Sequence, residues 1–212
     1  MKISIFDAAL SREIAQTLLD VEAIKLRPND PFTWASGWKS PIYCDNRVSL
    51  SHPSARTKIK DGLVRLIQDK FPDVEAIAGV ATAGIPQGAL VAEALGLPFL
   101  YVRSKSKGHG LANQIEGKVV PGQKVVLIED LVSTGGSSLA AVDALREAGT
   151  ETLGMAAIFT YAFSVAEQNF SVKDIPLVVL SDYPTLISIG NFNHETTELL
   201  GKWRENPDQW GK

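Results

Sequence analysis

Two adjacent carboxylates, Glu129 and Asp130, stand between an apolar run and a glycine-rich segment in the stretch VVLIEDLVSTGGSS. Glycines let a backbone turn tightly, so that successive N–H groups can point inward, and the start of a following helix adds partial positive charge. The segment Ser133–Ser137 therefore suits a phosphate monoester. Carboxylates repel phosphate, and their natural partners here are ribose hydroxyls or a divalent cation. The pattern predicts a sugar-phosphate site, with the phosphate in the loop and the diol on the acids.

A plainer interpretation of the same stretch is that the acids begin a helix and the glycines only turn the chain. The acid pair, two hydroxyls and two glycines, all directly after an apolar strand, favour a binding site over that interpretation. The segment is neither a Walker loop, because no Gly-Lys-Ser/Thr follows the glycines, nor a GxGxxG dinucleotide motif.

A second stretch, YVRSKSKGHGLANQIEG, gathers the cations Arg103, Lys105, Lys107 and His109 among glycines. These charges repel one another unless an anion lies among them. A histidine flanked by glycines is typical of a mobile lid that closes over a polyanion. A solvated surface loop is the alternative.

Two further stretches offer weaker signals. FTWASGWKSPIYCDNR, residues 32–47, carries aromatic side chains together with Lys39 and Tyr43, and could cover a ligand ring or belong to a core or interface. GVATAGIPQG, residues 79–88, could offer N–H groups to an anion at a helix start, or form an ordinary β–α turn.

The elements that position these residues alternate along the chain. Short apolar runs separated by helices indicate a parallel sheet covered on both faces, whose ligands bind at the carboxyl ends of the strands. Strands are predicted at 76–80, 98–102, 124–128, 152–159 and 177–180, with shorter pieces at 32–34 and 42–44. Helices are predicted at 6–19, from an N-cap at Ser51 to Phe71, and at 85–95, 136–148, 164–170 and 193–203.

Composition excludes several classes of protein. The net charge is −3, from 21 Lys and Arg against 24 Asp and Glu, so a general nucleic-acid or membrane-surface binder is not expected. No segment approaches the length of a membrane span, and the N-terminus does not read as a signal peptide. The single Cys44 cannot form an internal disulfide, so a cytoplasmic location is expected. Zinc-binding Cys or His pairs are absent from the sequence.

The strand, acid pair and Thr-Gly-Gly loop at 125–137 resemble the motif of type I phosphoribosyltransferases that binds 5-phosphoribosyl 1-diphosphate (PRPP). Arg-x-x-x-Lys-x-His-Gly at 103–110 and Ser-Gly-x-Lys-Ser-Pro at 36–41 resemble orotate phosphoribosyltransferases. The resemblance implies an α/β fold, a type I phosphoribosyltransferase-like parallel sheet flanked by helices. It also implies one domain over residues 1–212, with a small N-terminal hood at about 1–50.

The resemblance also implies residue roles. Glu129 and Asp130 take the ribose hydroxyls, 134–137 hold the 5-phosphate, and Arg103, Lys107 and His109 contact the diphosphate. The implied PRPP-binding set is Arg103, Lys107, His109, Glu129, Asp130, Leu131, Val132, Ser133, Thr134, Gly135, Gly136 and Ser137. The implied catalytic residues are Lys107, His109, Arg103 and Asp130, and those for orotate are Ser133, Lys39 and Tyr43.

The sequence departs from the family pattern at three places. Many members carry lysine where Ser104 stands, and Lys105 is the candidate replacement. Some carry lysine where Ala35 stands. Some hold the orotate carboxylate with an arginine after the motif's helix, and this region offers no arginine beyond Arg146, so that role stays unassigned.

The implied reaction joins orotate to PRPP, giving orotidine 5′-monophosphate and diphosphate in pyrimidine biosynthesis. It implies Mg²⁺ as cofactor, with no direct protein ligand assigned, and a homodimer whose basic loop reaches the partner's active site. Neither nucleic acid nor membrane is an expected partner. The alternatives are a phosphoribosyltransferase for another nucleobase and a PRPP-binding regulator, although a regulator is expected to lose the basic loop and gain a DNA-binding part.

Overall fold

The computed structural model describes residues 2–34, 37–104 and 114–210. Its strands are β1 (Ile3–Ile5), β2 (Ile24–Leu26), β3 (Phe32–Thr33), β4 (Lys39–Ser40), β5 (Ile42–Cys44), β6 (Ala76–Val80), β7 (Phe99–Val102), β8 (Ile115–Glu116), β9 (Lys124–Val132), β10 (Glu151–Thr160) and β11 (Leu177–Asp182). Its α-helices are α1 (Ala8–Asp20), α2 (Pro53–Lys70), α3 (Gly84–Leu95), α4 (Gly136–Glu147), α5 (Ser164–Val172), α6 (Tyr183–Ile189) and α7 (His194–Glu205), and a 3-10 helix spans Asn46–Ser51.

Seven strands form the central sheet in the order β1-β11-β10-β9-β6-β7-β8. Neighbouring strands run parallel, except that β8 returns antiparallel to β7. The strand order reverses direction around β6 and β9, which leaves a crevice at their carboxyl ends. This is the predicted fold class, a mostly parallel α/β sheet, and the prediction is confirmed.

Both faces of the sheet are buried, because side chains alternate along each strand. On β9, Val126 and Ile128 pack into one layer, which contains α1, α2 and α3. Val125 and Leu127 pack into the other layer, under α4 and α5. Such two-sided burial explains why these strands are nearly continuous apolar runs in the sequence.

The segment from β2 to β5 adds two small antiparallel sheets, and we call this segment the hood. In it β2 pairs with β5, and β3 pairs with β4 in a hairpin. The sequence predicted β-like pieces at 32–34 and 42–44, and strands are present at both places. The 3-10 helix then leads from the hood to α2 and contacts the end of β9.

Three sequence predictions need correction. Strand β9 continues through Glu129 and Asp130 to Val132, because β10 beside it is long enough to pair up to Thr160. Ser51 ends the 3-10 helix, and His52 occupies the N-cap position of α2, with Pro53 in the first turn, where its missing N–H costs nothing. The short strands β1, β2, β4 and β8, helix α6 and the 3-10 helix were not predicted.

The sequence predicted no membrane-spanning segment. None of the helices in the described residues is both long and apolar enough to cross a bilayer.

Candidate active site

The acid pair lies where β9 outruns its neighbour β6. Pairing between these strands ends at Gly79 and Ile128, whereas pairing with β10 continues to Val132. Glu129 and Asp130 are therefore flanked by β10 on one side and by the crevice on the other. This position, at the carboxyl ends of central parallel strands, is where α/β folds bind ligands.

Glu129 is only 5% exposed, and its carboxylate accepts hydrogen bonds from two neutral donors. The Ser138 hydroxyl donates to its Oε2 (2.9 Å), and the backbone N–H of Asp130 donates to its Oε1 (3.1 Å). Burial, together with the charge of Asp130, raises the pKa of Glu129 well above its ordinary value. Burial also raises the pKa of Asp130. Hydroxyl donors or a cation bound beside the pair would therefore stabilise its ionised form.

The hood is joined to the acid pair through the 3-10 helix that follows it. The Asn46 side chain, in the 3-10 helix, donates through Nδ2 to the backbone oxygen of Asp130 (2.6 Å) and accepts from the Cys44 thiol (3.3 Å). The next residue, Arg47, makes a two-point ion pair with Asp45 (2.6 and 2.8 Å). Its charge is close enough to Asp130 to oppose part of the effect of burial on that pKa.

The loop after β9 is fixed from several sides. Gly135 has φ 85° and occupies the N-cap position of α4, and a Cβ there would lie 2.7 Å from the Phe170 ring. Asn169 Nδ2 donates to the Thr134 oxygen (2.9 Å), and Thr160 Oγ1 donates to the Val132 oxygen (2.8 Å). The loop therefore reaches the N-terminus of a twelve-residue helix in a defined conformation, a geometry that suits an anion.

The segment 79–88 lies beside the acids. A Cβ on Gly84, the first residue of α3, would overlap the Ile128 oxygen and lie 3.5 Å from the Glu129 Cα. Glycine is therefore required for this helix to start against β9. The peptide bond between Ala81 and Thr82, just before the helix, is cis.

Of the basic residues, Arg103 is described. It follows β7, two strands from β9 and so roughly 10 Å away across the sheet. Its guanidinium lies 3.3 Å from Glu116 of β8, and its backbone N–H donates to the Gln114 oxygen (2.8 Å). Lys105, Lys107 and His109 lie outside the described residues.

The two hood residues that were predicted to bind orotate lie on its small sheets. Lys39 on β4 is exposed, and its Nζ donates to Thr33 Oγ1 across the hairpin (2.8 Å). Tyr43 on β5 is 38% exposed, with its ring centroid 5.4 Å from that of Phe32. The 3-10 helix that follows β5 carries Asn46, so the end of β5 lies near Asp130.

The chain matches known proteins over nearly all of its length. A family model described as "Phosphoribosyl transferase domain" matches residues 50–183. An orotate phosphoribosyltransferase of Porphyromonas gingivalis is 57% identical over 206 residues, covering 95% of this chain and 98% of the relative. The chain belongs to the orotate phosphoribosyltransferase family. Membership in this family makes the protein a glycosyltransferase, as the sequence predicted.

Solved structures of the family share the fold. The Aeropyrum pernix orotate phosphoribosyltransferase has a TM-score of 0.74 at 28% identity, covering 82% of this chain and 96% of that chain. The Mycobacterium tuberculosis orotate phosphoribosyltransferase in complex with PRPP has a TM-score of 0.65 at 25% identity, covering 84% and 98%.

Sequence reasoning missed the supporting polar residues of this site. Asn46, Ser138, Thr160 and Asn169 bond to the acid pair or to the loop from elements scattered over 124 positions, from 46 to 169. Ser138 could have been found, because it follows the motif directly. The partners of the other three depend on how distant elements pack.

The loop conformation can be tested at its two glycines. Gly135→Ala should lower the free energy of unfolding by about 1–3 kcal/mol, because alanine is strained at positive φ and its Cβ meets Phe170. Gly136→Ala is the matched control, since no described atom lies within 4 Å of its Cβ position. Urea unfolding of both variants gives the comparison, and equal losses would contradict the loop conformation described.

The acid pair should make the ligand-free protein less stable as pH rises. Because burial raises both pKa values, the folded state holds protons that the unfolded state has released, and stability falls from the ordinary carboxyl pKa up to the raised values. Glu129→Gln should flatten this slope and stabilise the ligand-free protein at neutral pH. Thermal unfolding across pH measures it, with Glu13→Gln on the exposed face of α1 as control. An unchanged slope in Glu129→Gln would contradict the assignment.

Proposed function

We propose that the protein transfers the 5-phosphoribosyl group of PRPP to orotate, giving orotidine 5′-monophosphate and diphosphate in pyrimidine biosynthesis. The observation that carries the proposal is one continuous segment: a buried acid pair is followed by a glycine loop at the N-terminus of α4, and Asn46, just after the hood, bonds to its backbone. The family membership and the PRPP complex of the Mycobacterium tuberculosis relative support the same reaction.

The proposed substrate position follows the segment. The 5-phosphate lies in the loop 133–137, where the helix N-terminus and backbone N–H groups favour an anion. The ribose hydroxyls donate to Glu129 and Asp130, which relieves their buried charge. Orotate lies under the hood, near Lys39 and Tyr43, with Ser133 as a hydrogen-bond partner. Leu131 and Val132 connect the two halves of the PRPP site through their backbone.

A Mg²⁺ ion fits this site as part of a substrate complex. Glu129 and Asp130 supply the oxygen ligands that Mg²⁺ prefers, and a cation beside them would offset the cost of burying their charge, which raises both pKa values. Within residues 2–34, 37–104 and 114–210, no cluster of three or more acidic, His or Cys side chains could hold a metal by itself. The acid pair would therefore hold the ion together with substrate oxygens, and the ion would supply positive charge to the departing diphosphate.

The protein's own contribution is electrostatic. When the bond from the anomeric carbon to diphosphate breaks, positive charge develops on the ribose and negative charge on the leaving oxygen. The acid pair faces the positive ring, while Arg103, Lys107 and His109 neutralise the diphosphate. His109 can also donate a proton. Orotate is already an anion near neutral pH, so the reaction needs no strong base.

The proposal extends to the assembly and its surroundings. The basic loop reaches the active site of a second copy, which makes the protein a homodimer with shared sites. Its partners are orotate and PRPP, with no role for nucleic acid or a membrane, and it works in the cytoplasm. The shared site rests on the resemblance of residues 103–110 to the family's catalytic loop, whereas the location and the exclusion of nucleic acid and membrane rest on the single cysteine and the net charge.

A spectrophotometric assay tests the reaction. Purified protein mixed with PRPP, Mg²⁺ and orotate should lower the ultraviolet absorbance of orotate, and uracil or a purine in its place should give no product. Turnover of one of those bases in preference to orotate would make the protein a phosphoribosyltransferase of another specificity. PRPP binding without any turnover would indicate a regulator.

Asp130→Asn should weaken PRPP binding about 10- to 100-fold, because hydrogen bonds to a charged group contribute about 1.5–3 kcal/mol. Calorimetric titration with PRPP and Mg²⁺ measures the change. Asp143→Asn on α4, whose carboxylate pairs with Lys173, is the matched control and should bind PRPP like the wild type. Unchanged binding by Asp130→Asn would contradict the ribose assignment.

Subunit mixing tests the shared site. Lys107→Ala should lower turnover far more than it weakens orotate binding. The variant should therefore be inactive alone. At a PRPP concentration too low for the Asp130→Asn homodimer to turn over, mixing the two variants should restore about a quarter of the wild-type activity, because half of the dimers are mixed and each has one intact site. No recovery after subunit exchange would show self-contained sites.

A further inference from the structure

The two ends of the chain lie outside the matched phosphoribosyl transferase domain, which covers residues 50–183. The hood precedes this domain and α7 follows it, yet the two contact each other. Besides Ser133 and the loop at 103–110, these flanking segments are the part of the chain that can separate orotate recognition from the general handling of PRPP. Their contact joins the hood hairpin to a helix more than 150 residues away along the chain.

Trp203 on α7 forms the centre of this contact. Its side chain is fully buried. Four aromatic rings surround it at centroid distances of 5.5–5.7 Å, belonging to Trp34 of the hood, Tyr161, Phe163 and Tyr183. Aromatic pairs at such distances in edge-to-face or tilted arrangements are stabilising. The cluster thus packs the hood, the end of β10 and the C-terminal helices against one another.

A directional bond accompanies this packing. The indole Nε1–H of Trp203 donates to the backbone oxygen of Lys39 on β4 (3.2 Å). Lys39 pairs with Thr33 across the hairpin, so the bond fixes the strand that displays the Lys39 side chain. Within the same cluster, Trp34 Nε1 is buried with no hydrogen-bond partner among the described residues. The Trp34 indole is therefore held by packing, whereas the Trp203 indole also holds the hairpin backbone by a hydrogen bond.

The neighbouring residue, Arg204, anchors α7 to the sheet. Its guanidinium donates to the backbone oxygens of Tyr161 (3.3 Å) and Ala162 (2.8 Å), where the chain leaves β10. Thr160 at the end of β10 bonds in turn to Val132, just before the phosphate loop. Helix α7 is thus tied on one side to the hood hairpin and on the other to the strand beside the PRPP segment.

We propose that Trp203 is a positioning residue for orotate, which holds the β3–β4 hairpin at the distance from the PRPP site that nucleobase binding requires. The inference rests on the proposed function, because it takes the hood as the cover of the orotate ring. Helix α7 is then a specificity element of the enzyme. A change in the bond from Trp203 to Lys39 alters the binding of orotate without altering the binding of PRPP.

Trp203→Phe tests this inference, since it keeps an aromatic ring in the cluster and removes the N–H. The KM for orotate should rise about fivefold, the effect of one neutral hydrogen bond, while the KM for PRPP stays within about twofold of the wild type. Trp210→Phe makes the same substitution in the same terminal segment and should change neither constant. Arg204→Gln removes the other half of the tether, the bonds from α7 to β10, and should also raise the KM for orotate more than the KM for PRPP.

Equal changes in both KM values, a loss of kcat alone with a lower melting temperature, or no change would each overturn the proposal. If Trp203→Phe does not fold, the wild-type enzyme gives the answer by nuclear magnetic resonance. Its Trp203 indole N–H signal should shift when orotate is added to the enzyme with diphosphate and Mg²⁺, and an unmoved signal would overturn the proposal. Failure of the wild type to convert orotate would instead overturn the proposed function, so the two failures are distinguishable.

Discussion

Two carboxylates buried next to each other at the end of β9 are the constraint on which the rest of the site depends. Burial raises the pKa values of both, and the charge of Asp130 further disfavours ionised Glu129. A protein that needed only stability would not place two acids there. The energetic cost is explained if ribose hydroxyls and a cation bind to them, because the charges are then compensated in the complex rather than in the free protein.

The surroundings of the acid pair are consistent with that role. Near Glu129 the structure supplies a hydroxyl from Ser138 and a backbone N–H, and it supplies no direct cation among the described residues that would cancel the charge permanently. Arg47, which lies nearby, is paired with Asp45. The positive charges expected to act on the substrate lie instead in the segment after β7, which begins with Arg103. Under the proposed function, ligand and protein charges are complementary, and the complex rather than the free protein is neutralised.

Glycines and packing fix how close the parts of the site come. Gly84 lets α3 begin against the backbone of β9, and Gly135 lets the loop pass Phe170 at positive φ. On the other side, Trp203 packs the hood and the C-terminal helix into one aromatic cluster. The same sheet edge is therefore bordered by the loop 133–137, which is hydrogen-bonded to its neighbours, and by a hood that packs against the far end of the chain.

The sequence alone determined the fold class, the family and the main helices and strands, because these depend on local patterns. Apolar runs of strand length, helical spacing and the motif at 125–137 are all readable over a few neighbouring residues. The sequence did not reveal β1 or α6, because three and seven residues are too few to show an apolar periodicity. It also misplaced the end of β9, which is set by the length of its partner β10.

Only the tertiary structure decided which side chains support the site. Asn46 and Asn169 are 123 positions apart, yet they bond to Asp130 and Thr134 within one segment. Trp203 bonds to Lys39 across 164 positions. Each of these bonds joins groups that are distant in sequence, and their partners depend on how whole elements pack. The spacing of residues in a short stretch does not predict that packing, but it does indicate the chemistry of the acid pair and its loop.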